Sequence, residues 1–374
     1  MQRELPEQSG GNPNTVTYSF SDWMDELSRV YGARWESYRN SFHRTNNKIT
    51  AADESAELRA PITITLELVN RCNLKCVMCW TDNHVMKKGV LSLDQICEIL
   101  NSFRDAGNPI PAVIVGLGSE PLLYKEVKNV IMACKNAGVM DIFFGTNAVL
   151  LDEELSRFLI AQGVTRLEVS LDAATSETYQ KIRSKDKLEL VESNIKKFIE
   201  IRNSLQKKLP VVRLAFVVQE LNYDERNLFL SKWKGIVDYI DFQQMSDFSK
   251  VTSNLGKDLS YYLFDDETAE EKKKLTDELK HKLKLRNGSN DSELFCPYPF
   301  NSLNVWADGD ISPCCCFHGR ALTIGNINEK SLTEVWHGKE MKALRSEILD
   351  GRLNRVCRSC LDRDSSHRDD VITD

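Results

Sequence analysis

From residue 61 onward, short apolar runs alternate with longer stretches in which apolar side chains recur every three or four positions. The runs are ITITLELV (62–69), AVIVGLG (112–118), DIFFGTN (141–147), RLEVSLD (166–172), VRLAFVV (212–218) and YIDFQQM (239–245). Runs this short read as strands, and the segments between them, at helical spacing, read as amphipathic helices. Several of those helices stop at Ala-Gly or Gln-Gly, because Gly tolerates the left-handed conformation that ends a helix. Asp152 and Asp224 stand where N-caps are expected. Strand and helix in regular alternation predict parallel strands with right-handed crossovers. Six units are too few for a full eight-fold barrel, so the expected fold is α/β, an open partial (β/α)6 barrel. Its site belongs at the C-terminal ends of the strands.

The flanks follow other patterns. Residues 1 to about 15 are polar, with Gly and Asn, and read as a tail. Trp23, Leu27, Val30, Trp35 and Tyr38 then recur at helical spacing, which predicts a helix docked on the main domain. The expected organisation is a tail and helical extension over 1–60, the barrel over 61–246, a charged helical linker over 247–295, a small cysteine-bearing domain over 296–363 and a polar tail over 364–374.

Composition narrows the function classes. Apolar residues make up 41% and charged residues 28% of 374 residues, as in an ordinary globular protein. The net charge of -6 is spread along the chain, so no basic face announces a nucleic-acid partner. No segment reads as a signal peptide or a membrane span, and the expected location is cytoplasmic. Eleven cysteines are many for a cytosolic chain, where disulfides are rare, and their grouping suggests ligands. Cys97 and Cys134 stand apart on predicted helices and read as buried apolar residues.

The first group, Cys72, Cys76 and Cys79, falls within CNLKCVMCW directly after the first strand. A cubane iron-sulfur cluster normally takes four Cys ligands, so three would leave one iron open to a non-protein ligand. A zinc loop with a fourth ligand such as His84 is the alternative reading. The CxxxCxxC spacing resembles the radical S-adenosylmethionine (radical SAM) superfamily. That resemblance implies a partial barrel and a 4Fe-4S cluster whose open iron chelates SAM and, once reduced, splits it to a 5′-deoxyadenosyl radical. It also implies roles for the strand ends. Gly118, Ser119 and Glu120 resemble the Gly-Gly-Glu motif that holds the SAM amino group, with Ser in place of the second Gly. Thr146 and Asn147 are similar to a Thr-Asn common after the third strand. Ser170 and Asp172 match positions that meet the SAM ribose or amino acid part, although Asp172 also fits an N-cap. Arg183 resembles an Arg that pairs with the SAM carboxylate, and Val217 and Val218 sit where relatives pack adenine. Met78 replaces the usual aromatic residue before the last loop cysteine, which leaves adenine stacking to Trp80 or to a thioether contact.

The second group begins at Cys296. An Asp308-Gly309 turn would bring it beside Cys314, and Cys357 and Cys360 form a CxxC after an amphipathic segment. Four thiolates can complete a cluster with no open iron, or a zinc ribbon. The pattern resembles the SPASM or twitch extension of radical SAM enzymes. With no Cys after Cys360, the resemblance implies one auxiliary 4Fe-4S cluster, suited to electron transfer. Cys315, next to a ligand position, is the candidate catalytic residue as a hydrogen-atom donor. Cys316 and His318 are further candidates.

The resulting expectation is a radical SAM oxidoreductase that takes a hydrogen atom from a polar small molecule resembling a sugar or aminocyclitol. The auxiliary cluster would accept an electron, and flavodoxin or ferredoxin would be the external donor. About sixty residues precede the barrel and read as helices rather than a peptide-binding winged helix, which favours a small molecule over a peptide. The alternatives are a peptide maturase, an epimerase with a Cys hydrogen donor, or a non-catalytic iron-sulfur electron carrier or redox sensor.

Overall fold

A computed structural model of the chain describes residues 15–46, 58–79, 89–105, 107–116, 118–244, 295–314 and 320–361. The six apolar runs form β2 (Thr63–Leu66), β3 (Ala112–Val115), β4 (Asp141–Thr146), β5 (Arg166–Ser170), β6 (Val211–Val218) and β7 (Tyr239–Gln244). Each pairs in parallel with the next. Helices between the strands include α3 (Leu93–Arg104), α4 (Val127–Asn136), α5 (Glu153–Ala161), α6 (Ser176–Arg183), α7 (Leu188–Ser204) and α8 (Arg226–Trp233), after α1 (Trp23–Tyr31) and α2 (Ala33–Asn46). The fold is the expected α/β partial barrel.

Both edges carry a strand that the alternation did not reveal. β1 (Thr15–Ser19) pairs antiparallel with β7, so part of the polar leader is sheet. At the other edge β8 (Ser302–Val305) pairs in parallel with β2 and continues into β9 (Asp310–Ser312) and β10 (Gly325–Asn326). The C-terminal region therefore extends the barrel sheet directly. Helices α9 (Tyr298–Asn301), α10 (Leu332–Trp336), α11 (Lys339–Leu349) and α12 (Arg355–Leu361) complete it. Arg345 of α11 ties them together by donating to the carbonyls of Pro299 and Trp336.

Side chains alternate across a strand, and here the two faces differ sharply. Ile64 and Leu66, Val113 and Val115, Ile142 and Phe144, Leu167 and Val169, Leu214 and Phe216, and Leu303 and Val305 belong to the main core with the helices. Positions between them face the barrel lumen, and many are polar: Thr63, Thr65, Arg166, Glu168, Ser170, Arg213, Asp241, Ser302 and Asn304. The lower lumen is closed by the N-terminal segment. Trp23, Leu27, Trp35 and Tyr38 pack with Ile62, Ala112, Met140, Val211 and Tyr239, all at the starts of barrel strands. Trp23 stacks on Tyr239 at 4.9 Å, and Tyr38 donates to the buried Asp141 at 3.2 Å. Above this floor Arg213 bridges Glu168 and Asp241, and Thr17 of β1 donates to Asp241.

Of the two expected N-caps, Asp152 accepts from Leu155 N at 2.8 Å, but Asp224 caps no helix among the described residues. It lies within a 3-10 turn over Glu220–Glu225, and α8 starts only at Arg226. Glu225 instead reaches back to the amides of Ala174 and Thr175 ahead of α6. No helix among the described residues is long and apolar enough to cross a membrane. The expected linker over 247–295 lies outside the described residues, apart from residue 295.

Candidate functional site

The loop of Cys72, Cys76 and Cys79 leaves β2 at the C-terminal end of the barrel and is held by its neighbours on both sides. On one side Glu120 N donates to Arg71 O at 3.0 Å. On the other, Val77 N donates to Ile182 O, Lys75 N to Ser184 Oγ and Lys185 Nζ to Asn73 O, so the C-terminal end of α6 grips the loop from Asn73 to Val77.

Glu120 anchors one side of the site. It is almost fully buried, and its carboxylate accepts from Thr146 Oγ1 (2.7 Å), Asn147 N (2.8 Å) and Leu122 N (3.1 Å). Burial pushes the carboxyl above its ordinary range, against those donors. Asn147 in turn donates to Asn73 Oδ1 at 2.7 Å and contacts Cys72 Sγ at 3.7 Å. The Thr-Asn after β4 thus connects the Glu120 turn to the cysteine loop. Strand ends approach closely here: a Cβ on Gly116, at φ +102, would meet Gly145 O at 2.4 Å. Gly118 has φ +68, and Ser119 Oγ is buried without a partner among the described residues.

Asp172 and Arg183 anchor the other side. Their side chains pair at 2.5 Å and are nearly inaccessible. The second Asp172 oxygen accepts from Val217 N at 2.8 Å, while Thr175, not Asp172, caps α6. Arg183 also donates to Cys76 Sγ at 3.6 Å. Burial opposes its charge, yet Asp172 and Cys76 more than offset this and hold the guanidinium protonated. The Arg read as a partner of the SAM carboxylate is therefore engaged with Asp172 and the loop sulfur. Ser170 lies half-buried on the lumen face of β5. Of the two valines read as adenine contacts, alternation puts Val217 toward the lumen, whereas Val218 belongs to the helix-side core.

The donor set fits an iron-sulfur group. Burial pushes the Cys76 thiol up to about 11, so a thiolate there needs a metal to take the place of its proton. Soft thiolates suit iron-sulfur clusters, and Ser119 Oγ after β3 and Tyr179 OH and Arg183 Nε on α6 are buried polar atoms without hydrogen-bond partners among the described residues. Among the described residues no three Cys, His, Asp or Glu side chains converge on a single-ion site. Trp80 and His84 lie outside the described residues.

In the C-terminal region the expected turn is present: Gly309 sits at φ +87 between β8 and β9. Asn304 pairs with Ser312, so the hairpin returns Cys314 to the end of β8 that Cys296 leads into. Cys357 is buried on α12, and its amide donates to Asn354 Oδ1 at 2.9 Å. The backbone of Cys360 lies on the same helix. Cys315, Cys316 and His318 lie outside the described residues.

Glu67 and Asn304 carry buried polar atoms that the sequence reading did not single out. Glu67, two positions past Thr65 on the lumen face, is almost fully buried. Its Oε2 accepts from Ala307 N at 3.0 Å and its Oε1 has no partner among the described residues. Burial raises its carboxyl to about 7, against the Ala307 amide and Arg320 and with help from Asp308. A carboxyl raised in the folded state stabilises the fold only while protonated, and that contribution is lost as pH rises. Glu67→Gln should therefore stabilise the protein by about 3 kcal/mol at alkaline pH, with the gain vanishing toward acid pH, read from urea melts. A pH-independent difference would refute the burial account. The signal available in sequence was an acidic residue inside an apolar strand five positions before Cys72.

The Radical SAM superfamily pattern matches residues 66–229, and the SPASM iron-sulfur cluster-binding domain matches residues 296–361. Among curated relatives, a probable GTP 3',8-cyclase of Methanothermobacter thermautotrophicus is 32% identical over 143 residues, 38% of this chain and 46% of that protein. Its Methanosarcina mazei counterpart is 27% identical over 71% of this chain and 80% of that protein. The chain spans about half the length of the first of these relatives. Among solved structures, Streptococcus suis SuiB bound to precursor peptide SuiA aligns with a TM-score of 0.57 at 18% identity, covering 83% of this chain and 70% of that one. An anSMEcpe structure with bound AdoMet aligns at 0.55 and 16% identity, covering 76% and 82%. The two family matches together span more than half of the chain, and the protein belongs to the radical SAM superfamily, with a C-terminal SPASM domain and with SAM, a 4Fe-4S cluster and an auxiliary cluster as the cofactors that these domains imply.

Proposed function

We propose that this chain is a radical SAM oxidoreductase acting on a polar small molecule of the sugar or aminocyclitol kind. In this reading Cys72, Cys76 and Cys79 hold the SAM-binding cluster, and Cys296, Cys314, Cys357 and Cys360 hold the auxiliary one. When bound, the cluster and SAM supply the radical chemistry that removes a hydrogen atom from an unactivated carbon. The protein's share is positioning and exclusion of water. In the same reading Gly118, Ser119, Ser170 and Val217 line the SAM side, while Glu120, Asp172 and Arg183 fix the loop. The auxiliary cluster is the acceptor for the second electron, with a flavodoxin or ferredoxin as external donor.

The lumen wall carries this reading. Glu67, Glu168, Asp241, Arg213, Thr63, Thr65, Ser302 and Asn304 present carboxylate, guanidinium, hydroxyl and amide groups. Such a wall matches a ligand rich in hydroxyl and amino groups better than an apolar one.

The test is anaerobic reconstitution followed by iron counting and a 5′-deoxyadenosine assay with dithionite and SAM. About eight irons per chain should fall to about four in the Cys72→Ala/Cys76→Ala/Cys79→Ala variant, and only wild type should form deoxyadenosine. Zinc in place of iron, or iron without SAM cleavage, would overturn the catalytic reading. Amino sugars and aminocyclitols should raise the deoxyadenosine yield. A rise with GTP or with peptides instead would displace the small-molecule oxidation.

A further inference from the structure

The join between barrel and C-terminal domain holds buried polar groups that the framework leaves unused. β8 pairs with β2 in parallel, Thr65 opposite Asn304, so Glu67 follows Thr65 on the same lumen face. Asn304 is fully buried, and neither its Nδ2 nor its Oδ1 has a partner among the described residues. Glu67 Oε1 is equally orphaned, while Oε2 is fixed by the Ala307 amide. A buried carboxamide with no hydrogen bond among the described residues is rare, and a bound ligand is one partner that would satisfy it. Two such side chains on adjacent strands, both facing the lumen, make a paired set.

The location is also specific. The chain runs from Glu67 to Cys72 in five residues, and the β8–β9 hairpin runs from Asn304 to Cys314. Along the chain the pair is thus joined to one cysteine of each set. Its surroundings are tightly fitted, since a Cβ on Gly89 would meet Ala307 O at 2.2 Å. Below it, Glu168 and Asp241 both pair with Arg213, while Arg320 acts on Glu67 itself.

We infer that Glu67 and Asn304 form a binding subsite for an amine- or hydroxyl-bearing ring ligand, the Glu67 carboxylate accepting from its donor and the Asn304 amide bridging a neighbouring hydroxyl. This rests on the small-molecule reading above and deepens it, because it assigns the recognition to the seam between the domains. An oxygen that only accepts when ionised suits a hydrogen-bond donor, an amine or a hydroxyl, rather than an anionic group.

Glucosamine serves as the probe, with glucose as its neutral control, and the protein is reconstituted but not reduced. Saturation-transfer NMR should show glucosamine bound to wild type, and about tenfold weaker binding in both Asn304→Leu and Glu67→Gln. SAM affinity should not change. The melting temperature of Asn304→Leu should equal or exceed that of wild type, because removing an unsatisfied buried amide does not weaken a fold. Asn304→Asp repeats the binding comparison with a smaller change of shape.

Transfer that survives in both variants would overturn the subsite. A lowered melting temperature in Asn304→Leu would also overturn it, by showing that the amide is satisfied within the fold, through buried water. Absence of transfer to wild type that still forms deoxyadenosine would overturn this subsite alone and leave the catalytic reading standing.

Discussion

Arg183→Met should cost about 3–5 kcal/mol of folding stability, because it strands the Asp172 carboxylate in a site with no access to water. Asp172 would keep only the Val217 amide as a donor. The loss should appear as a lower urea midpoint with an unchanged slope. Asp172→Asn in the same chain should restore most of it, since an Asn oxygen still accepts from Val217 N and no buried charge remains. Deoxyadenosine formation should stay absent in both variants, since Arg183 also contacts Cys76 Sγ and its helix end grips the loop. A single variant as stable as wild type would mean that the 2.5 Å pair is not made in solution. Recovery of both stability and SAM cleavage in the double variant would reduce the pair to a structural filler.

What was legible in the sequence was whatever repeats or clusters. Strand and helix alternate with two distinct periods, so all six parallel strands could be read from residues 62–245 and their order followed from right-handed connection. The cysteine loop stood out by spacing, and Glu120 by its place after a strand. The edge strands were not legible for a physical reason. β1 is TVTYS, with its lumen side occupied by Thr and Ser, so it lacks an apolar run. β8 is short, and its pairing with β2 joins segments more than two hundred residues apart, which no local pattern encodes. The same blindness covers Glu67 and Asn304. Asn304 is unremarkable beside its chain neighbours, Glu67 stands out only as an acidic residue in an apolar run, and only the parallel pairing puts them on one wall. Arg183 resembles a ligand partner by its position, whereas its pairing with the buried Asp172 depends on tertiary structure and is invisible in the sequence.

Glu120 offers the sharpest test of how the site is held, because even the conservative Glu120→Gln should fail. Both carboxylate oxygens accept from fixed donors, Oε1 from Thr146 Oγ1 and Leu122 N, and Oε2 from Asn147 N. A Gln side chain has one acceptor and one donor end, so in either orientation its NH2 faces a backbone N–H. A buried unmatched donor of this kind costs about 1–3 kcal/mol, and the strain is released most directly by moving Asn147. Asn147 holds Asn73 at 2.7 Å and lies against Cys72, so the movement reaches the cysteine loop. Glu120→Gln should therefore lose iron from the first cluster while keeping the auxiliary one. Iron would fall to about four per chain, as in the triple cysteine variant. Iron content and the cluster's absorption report this without any substrate. Full iron with lost SAM binding would instead place Glu120 in direct contact with SAM. Full iron with intact SAM cleavage would show that the loop does not depend on the Glu120–Asn147 link at all.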